Sequence, residues 1–255
     1  MSEASFDLAL IGIGTGNPDH LTFQGAAAMR DADLIIIPRK GEDKADLADL
    51  RREICARVLE GAETRIAEFD LPKRDADGDY LAGVSDWHDA IAAVWTETVA
   101  SADPAPKKVA LLIWGDPSLY DSSLRIAARL DPRPSIRVIP GITALQALCA
   151  AHAIPFNDVG APVLVTTGRR LRERGFPADA DTVAVMLDGA CAFQSLDPEG
   201  LMIWWGAYLG MDGEMLFSGP LAEVGPKIVA ARAEAREQRG WIMDIYLIRR
   251  TVRAA

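Results

Sequence analysis

Histidine and cysteine are scarce, three of each in 255 residues. Cys55, Cys149 and Cys191 lie far apart and are odd in number, which fits reduced thiols in a cytoplasm and excludes a disulfide framework. His20, His88 and His152 are equally scattered, so no Cys/His spacing resembles a metal site and no metal is expected. No apolar run approaches the ~18 residues that would span a bilayer. The polar start, residues 1–5, lacks a basic region, so no secretory signal and no membrane partner are expected. Basic residues are outnumbered, 27 Lys and Arg against 37 Asp and Glu, for a formal charge of −10. That balance argues against nucleic acid as a partner, since phosphate binding needs clustered cations. It leaves room for an anionic small molecule held by a local basic patch.

The chain is long enough to bury a large core, and 49% of it is hydrophobic. Apolar, β-branched runs recur at residues 6–11, 34–37, 109–113 and 136–139, with helical periodicity between them at 47–59 and 87–100. Strands alternating with helices predict a mostly parallel sheet covered on both faces. A second series follows at 163–166, 182–186, 201–205 and 241–248. The turn-rich flanks of the short apolar helix 144–153 mark the junction, giving an N-terminal α/β domain over 1–140 and a C-terminal one over 141–255. Each is expected to hold a mixed, largely parallel sheet flanked by helices. Residues 69–85 read as a surface loop, and 232–239 as a solvated helix face.

Three motifs sit at strand ends, where ligands of open α/β sheets bind. Gly12-Ile-Gly-Thr-Gly-Asn-Pro18 follows the first strand. A dinucleotide fingerprint would need glycine where Asn17 stands, and no Gly-Lys-Ser/Thr follows, so the loop is not of phosphate type. It is either a ligand-approaching loop or only a tight strand-to-helix turn. Trp114-Gly-Asp-Pro-Ser-Leu-Tyr120 follows the strand 109–113. Gly115 permits close approach, and Asp116 either accepts hydrogen bonds from a ligand or makes a Gly-Asp-Pro turn. Pro140-Gly-Ile-Thr-Ala144 follows the next strand, with Thr143 either a helix cap or a ligand contact.

Taken together, Gly-x-Gly-x-Gly-x-Pro with Leu-Thr at 12–22, Ala-Asp-Leu-Ile-Ile at 32–36, Gly-Asp-Pro-x-x-Tyr at 115–120 and Pro-Gly-Ile-Thr-Ala at 140–144 resemble the tetrapyrrole methylases. Residues 38–42, 50–54 and 165–171 are similar to the branch that methylates a corrin precursor and expels acetate. The resemblance implies two α/β domains with S-adenosylmethionine in the cleft between them, S-adenosylhomocysteine as product, a tetrapyrrole substrate and a homodimer. It implies that Trp114, Gly115 and Asp116 hold the methionine and ribose parts, that Leu119 lies against them, and that Thr143 and Ala144 line the other wall. Leu187 and Ala207 match adenine-side positions, and Thr15 stands where the family usually has proline. The aspartate base of the uroporphyrinogen branch is replaced by Pro38.

Methyl transfer asks mainly for alignment and exclusion of water, so no catalytic triad is expected. Loss of an acetyl group as acetate asks for a base and an oxyanion donor as well. Tyr120 is the candidate donor, or else a packed aromatic. A substrate rich in carboxylates calls for arginines at strand ends, and Arg39, Arg169 and Arg170 are the candidates. Each is otherwise a solvated loop residue. Arg39 counts as catalytic too if its grip orients the ring carbon. Three alternatives stay open: a methylase for another ring position, a nicotinamide-dependent reductase and a non-catalytic binding module.

Overall fold

The computed structural model describes residues 6–39, 45–72 and 80–251. The chain divides into two compact units, Met1–Thr143 and Ala144–Ala255.

The first unit is a five-stranded sheet built from β1 (Asp7–Gly12), β2 (Leu34–Arg39), β3 (Arg65–Asp70), β4 (Lys108–Ile113) and β5 (Ser135–Ile139). Its order is β3-β2-β4-β1-β5, and every pairing is parallel. The continuous apolar runs are explained by burial of both faces. Leu8, Leu10, Leu34, Ile36, Val109 and Leu111 point to one face. They pack against Ile91, Trp95 and Val99 of α3 (Tyr80–Ala100) and Ile126 of α4 (Ser123–Ala127). Ile11, Ile35, Ile37, Ala110 and Leu112 point to the other. There they meet Met29 of α1 (Phe23–Asp31) and Ile54 of α2 (Ala45–Val58). Thr22 caps α1, its Oγ1 accepting from Gly25 N at 2.9 Å.

The segment 69–85 is not one loop. Its first residues close β3, and Tyr80 opens α3. Residues 73–79, and 40–42 of the motif at 38–42, lie outside the described residues. The strand β3 is faint in the sequence because its alternation is weak: Glu68 and Asp70 interrupt it, and only Phe69 is buried.

The second unit holds β6 (Val163–Thr167), β7 (Thr182–Met186), β8 (Leu201–Ala207), β9 (Met215–Pro220) and β10 (Asp244–Arg250), in the order β6-β7-β10-β8-β9. Its helices are α5 (Ala144–Ala151), α6 (Gly168–Arg174) and α7 (Leu221–Arg239). The α/β layering matches expectation, but the strand directions do not. Only β6 and β7 pair in parallel, and the other three pairings are antiparallel. For β8 and β9 the reason is local: they are joined by a short connection holding Gly210 and Gly213 at φ +77° and +82°, too short for the crossover that a parallel pair needs. β9 itself is unexpected, because its Gly219-Pro220 ending has the composition of a breaker.

Candidate active site

β1 lies between β4 and β5, so the motifs that follow these three strands emerge side by side. Glycine is what lets them meet. A Cβ on Gly141 would fall 2.7 Å from the Gly12 carbonyl carbon and closer still to the Gly115 oxygen. A Cβ on Gly12 would fall 2.6 Å from Gly141 N and 2.7 Å from Gly115 O. Backbone therefore packs on backbone across three loops. Gly14 and Gly115 form an isolated antiparallel bridge, Gly115 N donating to Gly14 O at 2.7 Å. Gly14 and Gly115 sit at φ +78° and +62°, in the left-handed region that glycine enters without strain.

Asp116 ties the arrangement together. Its Oδ2 accepts from Gly141 N at 2.9 Å and its Oδ1 from Ser118 N at 2.8 Å and from the Ser118 hydroxyl. Burial alone would raise the carboxyl, but the hydrogen bonds from Ser118 and Gly141 outweigh it and hold the group below the usual carboxylate range. Both oxygens are thus engaged by their own loops. Leu119 N donates back to Asp116 O at 3.2 Å, continuing the turn. Tyr120 ends it at φ +51°, a conformation rare outside glycine, with its side chain 44% exposed. A Cβ added at Gly115 would come into ordinary contact with Thr143 Cα at 3.7 Å, so the two loops lie against each other there.

Trp114 is half-buried, and its indole Nε1 has no hydrogen-bond partner among the described residues. The Arg51 guanidinium stacks 4.9 Å from its ring centre. Arg51 is itself buried, donating through Nε to Leu112 O at 3.1 Å and through Nη1 to Leu47 O at 3.0 Å. Burial brings its pKa down to about 10, so it stays cationic at neutral pH. Its neighbours in 50–54 give no sign of that role. In the first loop, Thr15 Oγ1 lies 3.1 Å from His20 Nδ1.

Of the predicted arginines, Arg39 belongs to the first unit and Arg169 and Arg170 to the second. Arg39 pairs with Asp70 at 2.9 Å, its register partner across β2 and β3, and lies 3.9 Å from Glu68. Arg169 and Arg170 are exposed in the first turn of α6, which Thr167 caps.

In the second unit, Leu187 follows β7 and Ala207 ends β8. Ala207 is fully buried, whereas Leu187 is 66% exposed at φ +52°. Behind Leu187 stands Asp188, whose side chain is 3% exposed. Its Oδ2 accepts from Tyr246 Oη at 2.7 Å and from Ala192 N, and its Oδ1 from Ala190 N at 3.1 Å. Burial and the Asp188 carboxylate push the Tyr246 phenol up, so it remains a donor. Arg232 is 8% exposed, not on a solvated face as its neighbours suggest. Its Nε donates to Asp244 Oδ2 at 2.9 Å and its Nη2 to the Asp188 carbonyl at 2.8 Å. Burial pushes the Asp244 carboxyl up, opposed by hydrogen bonds from Arg232 and from Trp205 Nε1, 3.0 Å away. Spacing within 232–239 could not reveal this, because which arginine turns inward is set by how α7 packs on the sheet. His152 is a structural residue, with Nε2 3.0 Å from Trp205 O. Among the described residues no group of three or more His, Cys, Asp or Glu is arranged to hold a metal.

The family model described as tetrapyrrole (corrin/porphyrin) methylases matches residues 7–225. The chain is 47% identical over 256 residues to a deacetylating precorrin-6A synthase of Sinorhizobium sp, covering 98% of both chains. It is 30% identical over 195 residues to a precorrin-2 C(20)-methyltransferase of Sinorhizobium sp, covering 71% of this chain and 73% of the relative. A crystal structure described as cobalamin-synthesis related (CobF), from Corynebacterium diphtheriae, superposes with a TM-score of 0.82 at 37% identity, covering 96% of this chain and 99% of that one. A uroporphyrin-III C-methyltransferase of Thermus thermophilus, in complex with S-adenosylhomocysteine, superposes at 0.58 with 17% identity, covering 98% and 100%. That last likeness speaks for the fold alone.

Proposed function

The chain belongs to the tetrapyrrole methylase family, and on that footing we propose that it is an S-adenosylmethionine-dependent C-methyltransferase of cobalamin biosynthesis, turning precorrin-5 into precorrin-6A. Ring carbon 1 is methylated and acetate is released. The observation that carries this reading is identity of 47% over 98% of the chain to a deacetylating precorrin-6A synthase.

The first unit fits the cofactor in one respect that the geometry supplies. Gly115 has no Cβ and sits at φ +62°, and one added there would lie against Thr143 Cα at 3.7 Å, so bare backbone is what this loop offers a ligand. The backbone of Trp114, Gly115 and Asp116 is assigned the methionine and ribose parts, with Leu119, Thr143, Ala144 and Thr15 beside it. Asp116 serves by holding Gly141 and Ser118, which fixes the loop before any ligand arrives. Leu187 and Ala207 are assigned the adenine side. When bound, the sulfonium supplies an activated methyl group.

The chain's own residues then have two tasks. They align the ring carbon with that methyl and exclude water. They also assist the loss of the acetyl group, in which water adds to its ketone, the bond to the ring carbon breaks, and acetate departs. The electron pair left on the ring carbon takes the methyl. Tyr120, exposed and held at φ +51° by the turn before it, is assigned as donor to the oxyanion formed on water addition. Arg39, Arg169 and Arg170 are assigned to the macrocycle's carboxylates, and Arg39 must exchange Asp70 to do so. Among the described residues no helix is long and apolar enough to cross a membrane. We further assign a cytoplasmic homodimer, which a monomer mass in light scattering would exclude, and domains close to 1–140 and 141–255.

Incubation with precorrin-5 and methyl-labelled S-adenosylmethionine tests the reaction. One labelled methyl and one acetate per turnover are expected. Label transfer without acetate would point instead to a methylase for another ring position. For Arg39→Ala, a several-fold higher KM for precorrin-5 with unchanged S-adenosylhomocysteine affinity is expected. No change in KM would leave Arg39 as a surface ion pair.

A further inference from the structure

In the second unit the residues that directly follow β7 and β8, the two strands flanking β10, adopt a left-handed backbone. Leu187 follows β7 at φ +52°, and Tyr208 follows Ala207 of β8 at φ +52°. Non-glycine residues in this region are strained and persist only where surrounding structure over-determines them. For Tyr208 the reasons are visible. Its hydroxyl donates to Trp241 O at 2.7 Å, its amide donates to Met243 O at 3.0 Å, and its ring packs edge-on against Trp241.

Leu187 is different, because its own side chain is 66% exposed and explains nothing. What holds it is the next residue. The Asp188 carboxylate takes three donors, from Tyr246 Oη, Ala190 N and Ala192 N, while the Asp188 carbonyl takes a fourth from Arg232. A Cβ on Gly168, at the start of α6, would collide with that carboxylate, so the neighbouring backbone closes over it. Arg232 also reaches Asp244, which is the register partner of Ala207. Trp205, two residues before Ala207, donates to the same carboxylate oxygen. One guanidinium therefore spans the loop after β7 and the start of β10, the strand between β7 and β8.

We propose that Asp188 and Arg232 are positioning residues that hold Leu187 in its strained, outward conformation, so that its side chain meets the adenine ring of the cofactor. The proposal rests on the functional reading above. A large apolar side chain kept exposed on strained backbone, at the cost of a buried charged network, serves contact with a flat apolar ligand. Asp188 and Arg232 are both buried and act through Leu187.

Calorimetric titration with S-adenosylhomocysteine and with 5′-methylthioadenosine, which keeps the adenine and lacks the amino-acid part, tests this. Asp188→Asn sets an amide donor against backbone donors, and Arg232→Lys keeps the charge but cannot span the acceptors. Each is expected to weaken both ligands at least tenfold and to raise the KM for S-adenosylmethionine, with kcat within about twofold at saturation. Leu187→Gly relieves the strain. It is expected to keep or raise the melting temperature while weakening methylthioadenosine about tenfold, a split that a purely structural role would not produce. If Asp188→Asn and Arg232→Lys fail to fold, Leu187→Gly and Tyr246→Phe decide, the latter removing one donor and expected to weaken binding several-fold. Folded variants that all bind within twofold of wild type overturn the proposal. Absence of binding by the wild-type protein would overturn the cofactor reading itself, a separate result.

Discussion

The two units hold their candidate loops by opposite means. In the first, the loops after β1, β4 and β5 meet because side chains are missing: Gly12, Gly115 and Gly141 pack backbone on backbone, and Asp116 needs only short hydrogen bonds to tie them. In the second, the chain after β7 and β8 is held by large buried polar side chains, and the non-glycine residues at positive φ there are Leu187, Cys191 and Tyr208. Glycine meets the geometric demand by offering no Cβ. The charged network meets it by force, and must satisfy every buried donor and acceptor to do so. The first solution should fail by steric overlap, the second by loss of a partner.

The largest effect is expected for Arg232→Met, which leaves Asp244 buried and uncompensated. Breaking a buried pair in this way costs about 3–5 kcal/mol, measurable as a fall in the urea midpoint. Adding Asp244→Leu should recover much of the loss, because the isolated charge is then gone. If the double variant is no better than the single one, the network's weight lies in the carbonyl of Asp188 and not in the ion pair.

Next comes Gly141→Ala. Its Cβ has backbone on two sides and cannot be accommodated by turning a side chain. About 1–3 kcal/mol of destabilisation is expected from overpacking, with S-adenosylhomocysteine binding lost more completely than stability. The same change at Gly61 or Gly175, which have open space around them but φ of +73° and +71°, isolates backbone strain from overlap. Equal losses at all three positions would remove the steric account.

The smallest effect belongs to Asp116 and pH. Its carboxyl is held below its ordinary value of 3.8, so its contribution to stability is fully present above that value. It is lost as pH falls through the depressed folded value. Asp116→Asn should flatten stability in that acid window and cost about 1 kcal/mol at neutral pH. A wild-type and variant pair with the same acid slope would show that Asp116 does not tie the loops.

Much of the first unit is legible in the amino-acid sequence. Its three inner strands are buried on both faces and β5 at the edge keeps an apolar run, so hydrophobicity alone marks four of them, and its loops use glycine, whose spacing is visible in a sequence. The fifth strand, β3, lies at the sheet edge, where one-sided burial leaves only Phe69 as a signal. The second unit is less legible for a related reason. Antiparallel pairing depends on which way the chain returns, and a buried arginine looks in sequence like any surface arginine. Of the candidate residues, Gly115, Asp116 and Thr143 come together around one loop cluster, while Arg39 is already paired with Asp70.

By itself, the amino-acid sequence determined where the chain must turn sharply, which runs must be buried, and the family to which those turns belong. It could do so because glycine spacing and apolar periodicity are local properties. Only the tertiary structure decided which polar residues are buried partners. Asp188, Arg232, Asp244 and Tyr246 are brought together from distant parts of the chain by the packing of β7, β10 and α7. No spacing rule connects such residues, because burial of a charge is settled by what surrounds it.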